Sequence, residues 1–107
     1  MFGLFTFIVE HEGASSVSQV LARDVVDSFQ LWTTELPIHL VDILTKDDIV
    51  SLQRNLANEE PILLTGRTNV WFVCGYSATG FARINIVQTE LLSKDSRETS
   101  DQTFRKD

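Results

Sequence analysis

The sequence predicts an α+β fold, in which two helices pack on one face of a mainly antiparallel sheet. Three observations lead to this prediction: an apolar strand-like run at the start, helical periodicity in the middle, and alternating patterns near the end. Because helices and strands occur in separate runs, the pattern favours an α+β arrangement over a parallel α/β fold. The predicted order is strand-helix-helix-strand-strand-strand.

The first predicted strand covers residues 2–9, which are rich in aromatic and β-branched side chains and too few for a lone helix. Phe5 and Phe7 share one face of this strand, and Leu4 and Ile8 share the other. Both faces are apolar, so we expect an internal strand that is covered on both sides.

The first predicted helix covers residues 17–36. Ser16 and Gln19 match a capping box, in which two side chains satisfy the free backbone groups of a helix start. Pro37 ends the helix, because the residue before a proline avoids helical backbone angles. Between these limits the apolar side chains recur at helical spacing: Val17, Val20, Leu21, Val25, Phe29, Trp32 and Leu36.

The second predicted helix begins at Thr45, whose hydroxyl caps a first turn that contains Asp47 and Asp48. It ends before Pro61. Residues 38–44, which lie between the two helices, fit either a short helix or an extended segment.

Three short strands are predicted after the second helix. In the last of them apolar and polar side chains alternate, so Arg83 and Asn85 are expected to face water or a partner. The three strands cover residues 62–64, 70–76 and 81–89.

We expect residues 1–92 to form one compact domain and residues 93–107 to form a flexible polar tail. Residues 1–90 contain 11 acidic and 5 basic side chains, whereas the last 17 residues contain 4 of each. The compact part therefore carries the net negative charge of the protein.

Charge and composition argue against several classes of function. With a sequence pI of about 4.7, the domain should be repelled by nucleic acid and by anionic membranes and attracted to basic surfaces. A single cysteine, Cys74, excludes an internal disulfide, and the apolar N-terminus lacks the basic region of a signal peptide. We therefore expect a cytoplasmic protein that binds neither nucleic acid nor membrane.

The sequence predicts no catalytic residues, no metal site and no cofactor, so we do not expect an enzyme. Serines follow His11, but serines at a helix start are usually caps. Cys74 lies in an apolar strand with no basic neighbour to activate its thiol. Asp47 and Asp48 fit the helix dipole better than a metal, because no carboxylates follow at a calcium-loop spacing.

The residues expected to contact a partner are three acidic pairs and one aromatic side chain. Glu59 and Glu60 follow the C-terminal end of the second helix, where negative charge opposes the helix dipole and gains nothing locally. Tyr76 lies at a strand end, and exposed aromatic side chains are common binding hot spots. The full set is Asp24, Asp27, Asp47, Asp48, Glu59, Glu60 and Tyr76.

The acidic helix starts precede a closing pair of strands, Val-Trp-Phe-Val-Cys-Gly at 70–75 and Phe-Ala-Arg-Ile-Asn-Ile at 81–86. In these features, over residues 1–90, the chain resembles the small immunity proteins of bacterial contact-dependent growth inhibition and related polymorphic toxin systems. The resemblance implies an antitoxin that binds a cognate toxin, often a nuclease, and blocks its cationic active site. We expect a monomer in the free state.

Two other functions stay open. A small ligand-binding or enzymatic domain would have a pocket between helix and sheet, with His39, Arg83 and Tyr76 as its polar groups. A subunit of a larger assembly would order its tail on binding.

Overall fold

A five-stranded antiparallel sheet forms one layer of the structure, and three helices form the other. The computed structural model describes the backbone of residues 2–92 and the side chains of residues 2–90. The strand order is β2-β1-β5-β4-β3. The elements are β1 Phe2–His11, β2 Ala14–Ala22, α1 Val25–Thr34, α2 Leu36–His39, α3 Lys46–Leu56, β3 Ile62–Leu63, β4 Val70–Tyr76 and β5 Phe81–Leu92.

The α+β class is confirmed, and the two longer helices, α1 and α3, both pack on one face of the sheet. The predicted internal position of the first strand is also confirmed, because β1 pairs with β2 on one side and with β5 on the other. The predicted tail, residues 93–107, lies outside the described residues.

The predicted helix over 17–36 is wrong in its first part, because residues 14–22 form the strand β2. Glu12 and Gly13 have φ values of 48° and 85°, which are typical of the two-residue turn that closes a tight hairpin. This turn folds β2 back onto β1 along its whole length. The sheet order therefore contains one strand more than the sequence pattern predicted.

The capping box predicted at Ser16 is absent, and the first helix begins eight residues later than its Ser16 cap would require. Ser16 lies within β2, where its hydroxyl donates to the carbonyl oxygen of His39. The true cap of α1 is Asp24, whose carboxylate accepts a hydrogen bond of 2.8 Å from the backbone N–H of Asp27. Thr45 caps α3 as predicted, by accepting from the N–H of Asp48.

Trp32 joins the helical layer to the sheet. Its ring is fully buried and stacks on Phe7 of β1, with centroids 4.6 Å apart and planes within 9°. Its indole N–H donates a 3.0 Å hydrogen bond to the hydroxyl of Ser18 on β2. This one side chain therefore contacts both strands of the hairpin.

The helix α3 lies close against β4. A Cβ atom added at Gly75 would stand 2.8 Å from Asn55 Oδ1 and 2.9 Å from Leu56 Cδ2, so no larger residue fits there without movement. The same Asn55 oxygen accepts a 2.8 Å hydrogen bond from the backbone N–H of Tyr76. These contacts fix the position at which α3 ends.

The face of the sheet turned away from the helices, here called the outer sheet face, has no described element over it. The hydrophobic core lies entirely on the face turned towards the helices. The prediction that both faces of β1 are covered is therefore correct only for that inner face. The most exposed apolar residues of the outer sheet face are Phe2, Ile8, Val17, Leu21, Ile62 and Tyr76.

Because side chains of β2 point alternately to the inner and outer faces of the sheet, replacing two serines of that strand by alanine should affect stability differently. Ser18→Ala should lower the free energy of unfolding by about 1–3 kcal/mol, because it leaves the buried indole N–H of Trp32 without an acceptor. Ser15→Ala, an exposed change on the outer sheet face, should leave stability nearly unchanged. Urea unfolding measures both, and equal losses would contradict this arrangement of β2.

Candidate functional site

A groove opens in the helical layer, between α1 and the segment 57–61 that follows α3. Its volume is about 380 Å³. Phe29, Leu56 and Val26 provide apolar surface in the groove, and Glu59 and Glu60 contribute carboxylates. Within the described part of the chain, no Lys, Arg or His lines this acidic groove.

The groove forms where α1 meets the C-terminal end of α3 and the segment that follows it. The side-chain amide of Gln53 donates a 2.9 Å hydrogen bond to the carbonyl oxygen of Thr33, at the end of α1. Just beyond Gln53, at the C-terminal end of α3, the N–H of Glu59 donates to the carbonyl of Leu56 and continues the turn. This turn brings Glu59 and Glu60 to the same groove as Val26.

The electrostatics of the groove favour a positively charged group. Glu59 and Glu60 are exposed and lie beyond the carbonyl end of α3, where the helix dipole is also negative. Two sources of negative potential therefore add at this end of the helix.

The acidic groove also provides apolar contact. Phe29 and Leu56 are buried beneath it, whereas Val26 is 53 % exposed. Lysine and arginine pack their aliphatic stems on apolar surface and hold their charge in water or against carboxylates. The groove therefore has the two features needed to bind such a side chain.

The first predicted acidic pair, Asp24 and Asp27, lies at the start of α1, where both carboxylates accept hydrogen bonds from nearby backbone N–H groups. Asp24 caps the helix, and Asp27 Oδ2 accepts a 3.0 Å hydrogen bond from the backbone N–H of Arg23. This backbone hydrogen bond, helped by the Arg23 guanidinium 3.5 Å away, lowers the pKa of Asp27 below its ordinary value. Arg23 offsets part of the charge that the pair would present to a partner.

The second predicted pair divides between surface and interior. Asp47 is exposed, but Asp48 is only 4 % exposed. Asp48 Oδ1 accepts from both the N–H and the hydroxyl of Thr79, at 3.1 and 3.0 Å, and Oδ2 accepts from the hydroxyl of Thr45 at 3.1 Å. Asp48 therefore connects the start of α3 to the β4–β5 loop and presents no free carboxylate.

Tyr76 is 62 % exposed, as expected. It lies on the outer sheet face, however, whereas the acidic groove lies in the helical layer. Its ring packs edge-on against Phe81 at a centroid distance of 5.1 Å. Among the predicted partner residues, the structure thus places Glu59 and Glu60 together in one groove and separates Tyr76 from them.

The polar groups of the ligand-pocket hypothesis do not meet. Arg83 belongs to the outer sheet face, as Tyr76 does, whereas His39 lies in the helical layer and contacts Glu35 Oε1 at 3.2 Å. The structure therefore provides no pocket between helix and sheet that these three side chains line together.

A contact that the sequence did not reveal joins His11 to Ser77. The His11 Nε2 atom lies 2.7 Å from Ser77 Oγ, although the residues are 66 positions apart. The same oxygen accepts hydrogen bonds from the backbone N–H groups of Thr79 and Gly80. A hydroxyl with such partners closes a turn, and its position next to an imidazole also resembles a nucleophile beside its base.

The described residues contain neither a cluster of metal ligands nor a helix that could span a membrane. No cluster of three or more His, Cys, Asp or Glu in residues 2–90 is arranged to hold a metal ion. None of the helices described is long and apolar enough to cross a membrane.

Comparisons of the chain with protein-family models, with curated proteins and with solved structures gave no match. Inferences about function therefore depend on the charge of the domain and on the geometry of its surfaces.

Asp48 makes the stability of the fold depend on pH. Burial raises the pKa of Asp48, but hydrogen bonds from Thr79 and Thr45 outweigh it, so the net pKa lies below the ordinary 3.8. Because the pKa of Asp48 is lower in the folded protein than in the unfolded chain, the ionised carboxylate stabilises the fold above pH 3.8. This stabilisation is lost as the pH falls through the pKa of Asp48 in the folded protein.

We therefore expect Asp48→Asn to reduce the steepness with which wild-type stability falls below about pH 4, where carboxylates take up protons. Asp47→Asn, at the exposed neighbouring position, should retain the wild-type pH dependence. Chemical unfolding at a series of pH values measures both, and an unchanged slope in Asp48→Asn would exclude this role.

Proposed function

We propose that this protein is an inhibitor of the immunity type, an antitoxin that binds the cationic active site of a cognate toxin protein and blocks it. The observation that carries the proposal is the acidic groove, in which Glu59 and Glu60 border apolar surface and none of the described residues adds a basic side chain. Blocking takes place in the cytoplasm of the cell that makes both proteins.

The charge of the domain supports this proposal. Residues 1–90 contain six more acidic than basic side chains. Proteins that bind phosphates, nucleases among them, cluster Lys and Arg at their sites, and carboxylates occupy the same positions as phosphates in such clusters. A nuclease is therefore the partner class that fits best, and the association should be fast and sensitive to salt.

The geometry also ranks the predicted contact residues. Glu59 and Glu60 combine exposure, proximity to apolar surface and the negative end of a helix, so they are the proposed centre of the interface. Asp24 and Asp27 lie at the start of α1 and would contribute at the edge of the contact. Asp47 is exposed at the opposite end of α3 and is the second choice for a contact.

The proposal is tested by charge reversal in the groove. Glu59→Lys/Glu60→Lys should weaken the complex with the toxin by about 100-fold or more, because lysines would face the partner's basic residues. Wild-type protein used as bait in the native host identifies the partner, and calorimetry on the purified pair measures the affinity.

The matched control is Asp42→Lys/Glu90→Lys, which changes the net charge equally at exposed positions away from the groove. It should cost much less affinity, chiefly through slower association. Equal weakening by both double variants would show that only overall charge matters, and full affinity of the groove variant would reject the site. Loss of affinity in Asp47→Lys alone would move the contact to the other end of α3.

A second candidate function, a small hydrolase, is favoured by the 2.7 Å contact of His11 with Ser77. It predicts that a fluorophosphonate probe labels the wild-type protein at Ser77 and does not label Ser77→Ala. Absence of labelling in the wild-type protein would remove this candidate and leave the inhibitor proposal untouched.

A further inference from the structure

The outer sheet face is more apolar than a solvent-facing sheet surface usually is. In antiparallel sheets with one covered face, the outward side chains are mainly polar. Here the register places Leu21 opposite Leu4 and Val17 opposite Ile8, and it places Ile62 opposite Phe72 in the same face. Asn85 of β5 lies between these two apolar groups. Apolar side chains grouped in this way on an exposed face typically mark an interaction surface.

The charges on the outer sheet face differ from those of the rest of the domain. Its central strands carry Glu10 and Arg83 as direct register partners, so their opposite charges lie side by side, and Glu90 opposite Leu4 leaves a net of about one negative charge. Residues 1–90 as a whole, in contrast, have 11 acidic and 5 basic side chains. Two copies of this chain that met through their helical layers would repel each other, whereas two outer sheet faces carry nearly balanced charge.

The size of the face is sufficient for a specific contact between two copies. The five strands contain 40 residues, which at about 3.4 Å per residue and about 4.8 Å between strands give a plan area of about 650 Å². Two faces together then bury about 1,300 Å², which lies at the lower end of the range of about 1,200–2,000 Å² for specific protein interfaces.

We infer that a second copy of this chain covers the outer sheet face, in a two-fold dimer of stacked sheets. The two sheets would pack about 10 Å apart with their strands inclined by about 30°, as in β-sandwiches. This inference differs from the expectation of a free monomer. Val17 and Leu21, which were predicted to lie on the apolar stripe of a helix, both lie on the outer sheet face.

The dimer leaves the proposed partner site open. The acidic groove lies in the helical layer, so stacking of the two sheets directs both grooves outward, away from the contact. Each dimer would therefore present two equivalent grooves, and the two sites can be tested separately.

Sedimentation of the full chain over about 1–500 μM tests the inference, because a dimer forms by mass action. We expect the mass to rise towards twice the chain mass of 12.1 kDa. Ile8→Lys, in the centre of the outer sheet face, should weaken the dimer about tenfold or more. Val17→Lys/Ile62→Lys changes the two most exposed apolar positions of that face and is the substitute variant if Ile8→Lys does not fold.

The matched control is Ile38→Lys, which places the same charge at a 72 % exposed isoleucine of α2 in the helical layer. It should dimerise as the wild-type protein does. Cys74, half-buried on the outer sheet face opposite Arg83, provides a native reporter, since a thiol reagent should modify it more slowly in the dimer than in Ile8→Lys.

Three results would overturn the inference. A wild-type monomer at all concentrations with a rapidly modified Cys74 would mean that the face is uncovered. A wild-type monomer with a protected Cys74 would mean that residues 93–107 cover the face. A dimer that Ile38→Lys disrupts and the outer-face variants do not would place the contact in the helical layer.

Discussion

The fold depends on the burial of Trp32 between the helical layer and the β1–β2 hairpin. The indole stacks on Phe7 of β1 and donates to Ser18 of β2, so one side chain connects α1 to two strands. An indole N–H in the interior needs an acceptor, and β2 provides it only when its residues alternate in the observed register. The position of α1, and therefore one wall of the acidic groove, follows from this contact.

The sequence predicted those parts of the fold that are determined by local chemistry. Thr45 caps α3, and the alternation in β5 places Ala82 and Ile84 in the core. Residues 14–22 were predicted wrongly because Val17 and Leu21 share a face in a helix and also in a strand. Pairing with β1 across the turn at Glu12 and Gly13 decides between the two, and that is a long-range effect that periodicity does not report.

The candidate site, too, could be predicted only where its residues are close in sequence, and not where it depends on contacts between distant elements. The position of Glu59 and Glu60 after a helix, against its dipole, identified them from the sequence as residues with no local role. The apolar surface beside them depends on how α1 docks on α3, through contacts such as Gln53 with Thr33. The burial of Asp48 and the contact of His11 with Ser77 likewise join residues that are far apart in the chain, so no spacing signalled them.

The molecule has two surfaces of opposite character in its two layers, an acidic groove and an apolar outer sheet face. The most direct test of the central claim is amide chemical-shift mapping of the isotope-labelled protein bound to its captured partner. We expect the largest changes on α1 around Val26 and on residues 57–61. Changes confined to the outer sheet face or to the β4–β5 loop, with the groove unaffected, would contradict the claim.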